Sequence, residues 1–289
     1  MKKLLAFILA AVMTASLCAC GSSNSGSEGS TSANGSSAAG KPVAASDVKV
    51  GCIMIGDENE GYTEAHLKAV EEMKKNLGLT DDQVVIKTNI KEDEGCYDAA
   101  VDLAEQGCNI IIANSFGHES YILQAAADYP DVQFCHATGY QAKSSGLANM
   151  HNFFTNVYES RYLSGVVAGM KLNEMIQKGE VTKDKCKIGY VGAFPYAEVI
   201  SGFTSFYLGV KSVCDSATME VKYTNSWASF DLEKECAEQL IADGCVLISQ
   251  HADTTGAPTA CEAKKVPCVG YNIDMIPTAP DAALTSATI

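Results

Sequence analysis

The sequence has little of what marks nucleic-acid-binding and metal-binding proteins. Lysine and arginine number 21 against 35 aspartates and glutamates, and they form no basic cluster. Nucleic acid is therefore not expected as a partner, because proteins that bind it carry a basic patch or stripe. The five histidines show no ligand-type spacing with one another or with cysteine, so neither a metal site nor a cofactor is expected.

Long apolar runs are absent after residue 17, so no transmembrane helix is expected there. Before it, Lys2 and Lys3 precede an apolar segment of the length of a secretory signal. This segment ends in Leu-Cys-Ala-Cys20-Gly, which resembles a bacterial lipobox. We expect a signal peptide over residues 1–19 and lipidation of Cys20, with cleavage without a lipid as the alternative. Two or more acyl chains would anchor the protein stably on the extracytoplasmic face of the cell membrane.

Residues 20–47 follow as a linker. After Cys20 they are almost entirely serine, glycine, alanine, asparagine and threonine. Such a composition buries too little apolar surface to offset the entropy of ordering the chain. We therefore expect a flexible tether between the anchor and a folded part of about 240 residues.

Cysteine is abundant, with 12 residues, but CxxC pairs are missing beyond the signal peptide. A disulfide framework is one interpretation for a secreted chain. The sequence favours free thiols, because several cysteines lie in or beside predicted core strands, where cysteine acts as a small apolar residue. These are Cys52, Cys108, Cys135, Cys245 and Cys268.

A helix end, a glycine and a buried strand occur twice in the chain. Gly107 and Cys108 of the first copy match Gly244 and Cys245 of the second, 137 residues later. The segments Lys-Val-Gly51 and Lys-Ile-Gly189 match at nearly the same offset. A repeat of domain size predicts one folding unit used twice, although the match is short enough for chance to remain the alternative.

Strand-like and helix-like segments alternate through both halves, which predicts an α/β protein with parallel, doubly wound sheets. The first lobe is placed at residues 48–156 and the second at residues 157–271. Residues 272–289 are expected to cross back to the first lobe, and the last of them resemble a strand with nothing after it. We therefore expect the sequence to be truncated at this end.

Candidate binding residues follow the strands, because ligands of open α/β sheets lie outside the carboxyl ends of the strands. With two lobes facing each other, these ends line one cleft. Aromatic rings there suit a planar ligand, and amides and carboxylates suit its hydroxyl and N–H groups. The candidates are Tyr62, Asn114, Phe116, Phe194, Trp227, His251, Asp253, Asn272 and Asp274.

Structural roles are the alternative for each candidate. A loop aromatic often serves packing only, although Trp227, the single tryptophan, lies in a polar loop rather than a core strand. His251 is as well suited to capping a strand end. Asp253 suits the N-cap of the next helix, and Asn272 and Asp274 suit the hinge between lobes.

Several motifs in order resemble the basic membrane protein (BMP) family, also called PnrA-like. The resemblance runs from residue 48 to residue 289 and rests on VGCIMIGDENEGYTEAH, YESRYLSGVVAGMK, EVISGFTSFYLGVKSV, NSWASFDLEKECAEQLIADG, QHADTTG and VGYNIDM. It implies two Rossmann-like lobes with parallel sheets joined by a crossover hinge, the type I periplasmic-binding-protein fold. It also implies a substrate-binding lipoprotein that delivers a purine nucleoside or nucleobase to an ABC permease. Two departures bear on the ligand: Asn59-Glu-Gly-Tyr62 replaces a loop that commonly reads Gly-Gly-Trp or carries Asp, and Asn272 replaces the usual Asp.

The leading hypothesis is thus a monomeric, lipid-anchored receptor for a small molecule. One alternative is a sensor of the same fold that presents its ligand to a signalling partner. A nucleoside hydrolase is a remote alternative, since the chain has no nucleophile elbow and no Asp-rich metal loop. We therefore expect no enzyme activity and no catalytic residues.

Overall fold

Ten strands and eight α-helices alternate along residues 43–288, which are the residues that the computed structural model describes. The predicted signal peptide, Cys20 and most of the predicted linker lie outside them. The strands β1–β10 are Val50–Ile53, Val84–Lys87, Ile110–Ala113, Gln133–Ala137, Met150–Phe153, Lys187–Gly192, Thr218–Tyr223, Leu247–His251, Cys268–Tyr271 and Ala283–Ala287. The helices α1–α8 are Gly61–Leu77, Glu94–Glu105, Glu119–Asp128, Ala142–Ser145, Val157–Gln177, Ala197–Val213, Phe230–Ala242 and Gly256–Lys264.

The strands form two five-stranded parallel sheets with the same order. The first sheet reads β2-β1-β3-β4-β5 and the second, taken from its other edge, reads β7-β6-β8-β9-β10. Every pairing between neighbouring strands is parallel. The structure therefore confirms the predicted α/β architecture of two lobes.

The repeated glycines end equivalent helices with the same geometry. Gly107 and Gly244 both have left-handed φ angles, of 85° and 90°. Beyond each glycine, the Cys108 N–H donates to Leu103 O and the Cys245 N–H donates to Leu240 O, both at 3.0 Å. Glycine suits this position because a left-handed φ carries no Cβ penalty for it.

The other repeated glycines bring strands β1 and β6, the first strand of each lobe, close to a helix. A Cβ on Gly51 would lie 2.9 Å from a side-chain carbon of Leu103, and one on Gly189 would lie 2.9 Å from a side-chain carbon of Leu240. Both leucines are fully buried. The sequence repeat thus marks the same helix–strand contact in the core of each lobe.

The prediction that residues 272–289 return to the first lobe is wrong for the strand within them. Strand β10 pairs with β9 at the edge of the second sheet, with Ala287 opposite Tyr271. Ala279 and Ala282 are buried in the core of the second lobe, and the Cys268 N–H donates to Ala282 O at 2.8 Å. Burial of these small residues and pairing with β9 keep the segment in the second lobe.

None of the helices in residues 43–288 combines the length and apolarity that a membrane span requires. The ten cysteines of this part of the chain are free thiols, eight of them buried and two half-buried. Burial raises the pKa of the Cys52 and Cys96 thiols to about 12, so these side chains stay protonated at neutral pH.

Candidate functional site

The carboxyl ends of both sheets face one cavity, with an empty volume of ≈ 330 Å³ that includes space open to solvent. The cavity is lined by Ile55, Tyr62, Asn114, Ser115, Phe116, Thr138, Glu198, Trp227, His251, Asp253 and Tyr271.

Six of the nine candidates from the sequence line this cavity, and three do not. Phe194 lies behind Trp227, with ring centroids 5.1 Å apart. Asn272 donates its side-chain N–H to Asp253 Oδ1 at 2.8 Å and so supports a lining residue. Asp274 is exposed, and its side chain accepts the backbone N–H of Ile276 at 2.9 Å. This hydrogen bond stabilises the turn after β9.

The first-lobe wall is held by Asn114 and Tyr62. The Ile55 N–H donates to Asn114 Oδ1 at 2.9 Å, and the Tyr62 hydroxyl donates to the Asn114 carbonyl at 2.5 Å. Asn114 is fully buried, and its side-chain Nδ2 has no hydrogen-bond partner. A buried N–H donor without a partner is costly, so this amide is available to an acceptor in the cavity.

Glu92 joins the two lobes at the edge of the cavity. Its Oε1 accepts the Ser115 hydroxyl at 2.6 Å and the Gly117 N–H at 2.7 Å, which fixes the loop after β3. The same oxygen accepts the indole N–H of Trp227 from the second lobe at 3.1 Å. The lone tryptophan is thereby oriented by a carboxylate of the opposite lobe.

Aromatic rings form the outer part of the site. Phe116 of the first lobe stacks on Tyr196 of the second, with centroids 4.9 Å apart and planes at 20°. Tyr196 also stacks on Phe194 at 4.9 Å and 13°. Phe194 meets Trp227 edge to face. Aromatic pairs prefer these offset and edge-to-face geometries, so the rings pack as one group across the cleft.

His251 and Glu198 pair at the second-lobe wall, with Nε2 and Oε1 2.8 Å apart. Burial lowers the pKa of His251, so the imidazole is neutral near pH 7 and donates its Nε2 proton to the carboxylate. Burial alone would raise the pKa of Glu198, but His251 and Arg161 together outweigh it and lower that pKa. Glu198 therefore presents a charged acceptor to the cavity.

Asp253 lies in the most acidic part of the site. Burial raises the pKa of Asp253 well above its ordinary value, and Glu60, Glu233 and Glu198 raise it further. Burial likewise raises the pKa of Glu60, whose carboxylate caps α1 by accepting the N–H groups of residues 62 and 63. A protonated Asp253 can donate as well as accept a hydrogen bond.

Arg161 is fully buried and lies behind Tyr271, one of the residues that line the cavity. One of its N–H groups donates to Gln250 O at 2.7 Å, and its guanidinium carbon lies 3.8 Å from the centroid of the Tyr271 ring. This distance is short for a cation–π contact. The arginine supports Tyr271 from below and places a positive charge near Glu198.

The sequence did not single out Glu92, Arg161, Glu198 or Tyr271. Glu198 lies four residues after the candidate Phe194, and Tyr271 directly precedes the candidate Asn272, so position after a strand was an available signal for both. Glu92 lies in the loop after the edge strand β2, and Arg161 lies within a helix. No local pattern marks those two residues, because their roles arise from contacts with distant parts of the chain.

Comparison with known proteins identifies the chain's relatives. The model of the family described as ABC transporter substrate-binding protein PnrA-like matches residues 48–289. A purine-binding protein of Brucella abortus is 33% identical over 240 residues, covering 83% of this chain and 64% of that protein. A putative ABC transporter glucose-binding protein of Haloferax volcanii is 36% identical over 172 residues, covering 60% and 40%. The chain thus spans less than two thirds of the length of these curated relatives.

Solved structures share the fold. An ABC transporter solute-binding protein from Conexibacter woesei superposes with a TM-score of 0.58 at 25% identity, covering 77% of this chain and 70% of that one. A solute-binding protein from Aeropyrum pernix gives a TM-score of 0.68 at 16% identity, covering 83% and 66%. These likenesses establish the type I periplasmic-binding-protein fold.

Proposed function

Because the chain belongs to the family of PnrA-like ABC transporter substrate-binding proteins, we propose that it captures a purine nucleoside or nucleobase and delivers it to an ABC permease. The family consists of binding proteins and not of enzymes. The observation that carries the proposal is the cavity between the two lobes. Its lining combines aromatic rings with side chains that donate hydrogen bonds and side chains that accept them. The similarity to a purine-binding protein of Brucella abortus supports a purine as the ligand.

The lining residues suit the two parts of a nucleoside. Trp227 and Phe116 offer flat aromatic faces, and stacking of a base on an aromatic ring is worth about 1–3 kcal/mol. Asn114 Nδ2 offers a donor without a partner. Glu198 and Asp253 offer oxygens to hydroxyl or ring N–H groups. His251 positions Glu198, and Tyr62 positions the backbone of Asn114, each through a hydrogen bond.

Delivery depends on closure of the lobes around the ligand. Two hydrogen bonds cross the cleft: Trp227 Nε1 donates to Glu92 Oε1, and the Gly61 N–H donates to Asp253 O at 3.3 Å. Asp253 and Trp227 also line the cavity. A ligand that contacts both lobes therefore favours the closed form, and it shifts the equilibrium by its differential affinity for that form.

A sugar is the second candidate ligand, because one relative carries the name of a putative glucose-binding protein. Aromatic faces and carboxylates also suit hydroxyl-rich rings. Asn114 Nδ2 can donate to a purine ring nitrogen or to a sugar hydroxyl, so the amide alone does not separate the two ligands. The purine-binding relative matches more of the chain than the glucose-binding one, 83% against 60%, and this favours a purine. Presentation of the ligand to a signalling partner, instead of a permease, would use the same cleft.

Lipid anchoring through Cys20 is part of the proposal. The test is detergent-phase partitioning of the chain expressed in a bacterial host. Wild type should enter the detergent phase, and Cys20→Ser should remain in the aqueous phase. Equal partitioning of both proteins would contradict a lipid on Cys20.

The ligand class is tested by mass spectrometry of the small molecules released when the purified protein is denatured. A purine nucleoside or base should be released in near-equimolar amount. Release of a sugar instead, with no purine, would contradict the proposal.

A further inference from the structure

We infer that Tyr196 is a binding residue that closes the mouth of the cavity and slows escape of the ligand. The inference rests on the proposed function and concerns the same cleft. Tyr196 is the N-cap residue of α6, two positions before Glu198, which lines the cavity. It is not itself among the lining residues, and 36% of it is exposed. Because it stacks on the lining residue Phe116 and is partly exposed, we place its ring between the lining residues and solvent.

Contacts with rings of both lobes hold Tyr196 at this boundary. It stacks on Phe116 of the first lobe at 4.9 Å and on Phe194 of the second lobe at 4.9 Å, and its centroid lies 6.0 Å from that of Trp227. Phe116 and Trp227 line the cavity. The tyrosine thus spans two lining residues from opposite lobes. The Phe116 stack forms only when the lobes are closed, because it is made across the cleft.

The local sequence places the rings of Phe194 and Tyr196 on the same side of the backbone. Pro195 separates Phe194 from Tyr196 and biases Phe194 towards extended backbone. Tyr196 itself has extended backbone, with φ −87° and ψ 156°. Side chains two residues apart in extended backbone point to the same side, which accounts for the parallel stack. The proline also limits the freedom of the segment, so the ring is held near the mouth.

The expected role is retention rather than recognition. No hydrogen bond involves the Tyr196 hydroxyl among the described residues, so the ring rather than the hydroxyl makes the contact. Breaking the stack with Phe116 is a step in opening, and a lost aromatic pair corresponds to an about two- to tenfold change in a rate or equilibrium constant. The ligand should therefore leave faster without the ring and enter at a similar rate.

Tyr140 provides a matched control. It is another tyrosine beside Phe116, with centroids 6.4 Å apart, but it belongs to the first lobe and is 72% exposed. Removing its ring takes an aromatic from the same neighbourhood without breaking a contact across the cleft. Tyr196→Phe is the second control, since it keeps the ring and removes the hydroxyl.

The experiment is stopped-flow measurement of association and dissociation with adenosine, guanosine, inosine and adenine, after titration calorimetry on wild type. Tyr196→Ala should raise the dissociation rate about two- to tenfold with little change in association, while Tyr196→Phe and Tyr140→Ala match wild type. An unchanged dissociation rate in Tyr196→Ala, or an equal rise in Tyr140→Ala, would overturn the role of Tyr196 alone. Absence of binding of all four compounds to wild type would overturn the proposed function, and this inference with it.

Discussion

The indole N–H of Trp227 donates to Glu92 Oε1 at 3.1 Å, and this bond joins the second lobe to the first. The same oxygen also fixes the loop after β3 through the Ser115 hydroxyl and the Gly117 N–H. One carboxylate therefore positions a first-lobe wall and a second-lobe ring together. Closure of the lobes and orientation of the aromatic platform depend on the same contact.

The Trp227–Glu92 bond should contribute measurably to ligand affinity. Trp227→Phe keeps a ring and removes the donor, while Glu92→Ala removes the acceptor. Both should weaken binding, and a double-mutant cycle by calorimetry should give a coupling of about 0.5–1.5 kcal/mol. Additive effects of the two substitutions would show that the bond carries no energy in the bound state. Glu92→Gln, which keeps an acceptor oxygen, should lose less affinity than Glu92→Ala.

Arg161 should be needed for stability of the second lobe. Arg161→Met removes the bond to Gln250 O, the contact with the Tyr271 ring and a positive charge near the half-buried Glu198. Loss of one buried charge that balances another costs about 3–5 kcal/mol, and urea unfolding should report a loss of this order. Arg161→Lys should recover part of it because the charge is kept. Wild-type stability in Arg161→Met would contradict the role assigned to the guanidinium.

The contribution of Glu233 to stability should fall as pH rises through the range in which this carboxyl group ionises. Burial raises the pKa of Glu233 from 4.5 to about 7. Between these values the folded protein keeps a proton that the unfolded chain releases, so this contribution is fully present at or below pH 4.5 and is lost above pH 7. The contribution is on the order of 3 kcal/mol, from about 1.4 kcal/mol per pKa unit.

Glu233→Gln isolates this contribution. The free energy of unfolding of the variant, minus that of wild type, should increase between pH 5 and pH 8, as measured by denaturant titration. Glu235→Gln, on the exposed side of the same helix, is the control. A difference for Glu233→Gln that stays constant with pH would contradict the raised pKa.

The duplicated helix ends should respond equally to substitution. A Cβ on Gly107 or Gly244 would meet no atom within 4 Å, so the cost of alanine comes from the left-handed backbone alone. We expect Gly107→Ala and Gly244→Ala each to lower the free energy of unfolding by about 1–2 kcal/mol. Asparagine should cost less at either position, since it tolerates this conformation better. A large effect in one lobe and none in the other would contradict the equivalence.

Much of the fold could be predicted from the sequence because its signals are local. The helix ends at Gly107 and Gly244, and the buried strands β3 and β8 that follow them, were predicted from the sequence repeat. Helix α2 begins at Glu94 because the side chain of Asp93, its N-cap residue, accepts the Gly95 N–H. The placement of β10 depends on which strand it pairs with, and no pattern in its own five residues carries that information.

The candidate site was predictable in part for the same reason. Position after a strand led to Trp227 and Asp253, which line the cavity, and also to Asp274, which does not. Position alone does not tell a residue that faces the cleft from one that shapes a turn. Glu92 and Arg161 act through partners 135 and 89 residues away, so only the three-dimensional structure reveals them.

Isothermal titration of wild-type protein at pH 7 with adenosine, guanosine, inosine, adenine and D-glucose decides whether the cleft binds a purine. We expect saturable, one-to-one binding of at least one purine, weakened in Trp227→Ala, and no heat with D-glucose. Saturable binding of D-glucose, with no heat from any purine on the folded protein, would contradict it.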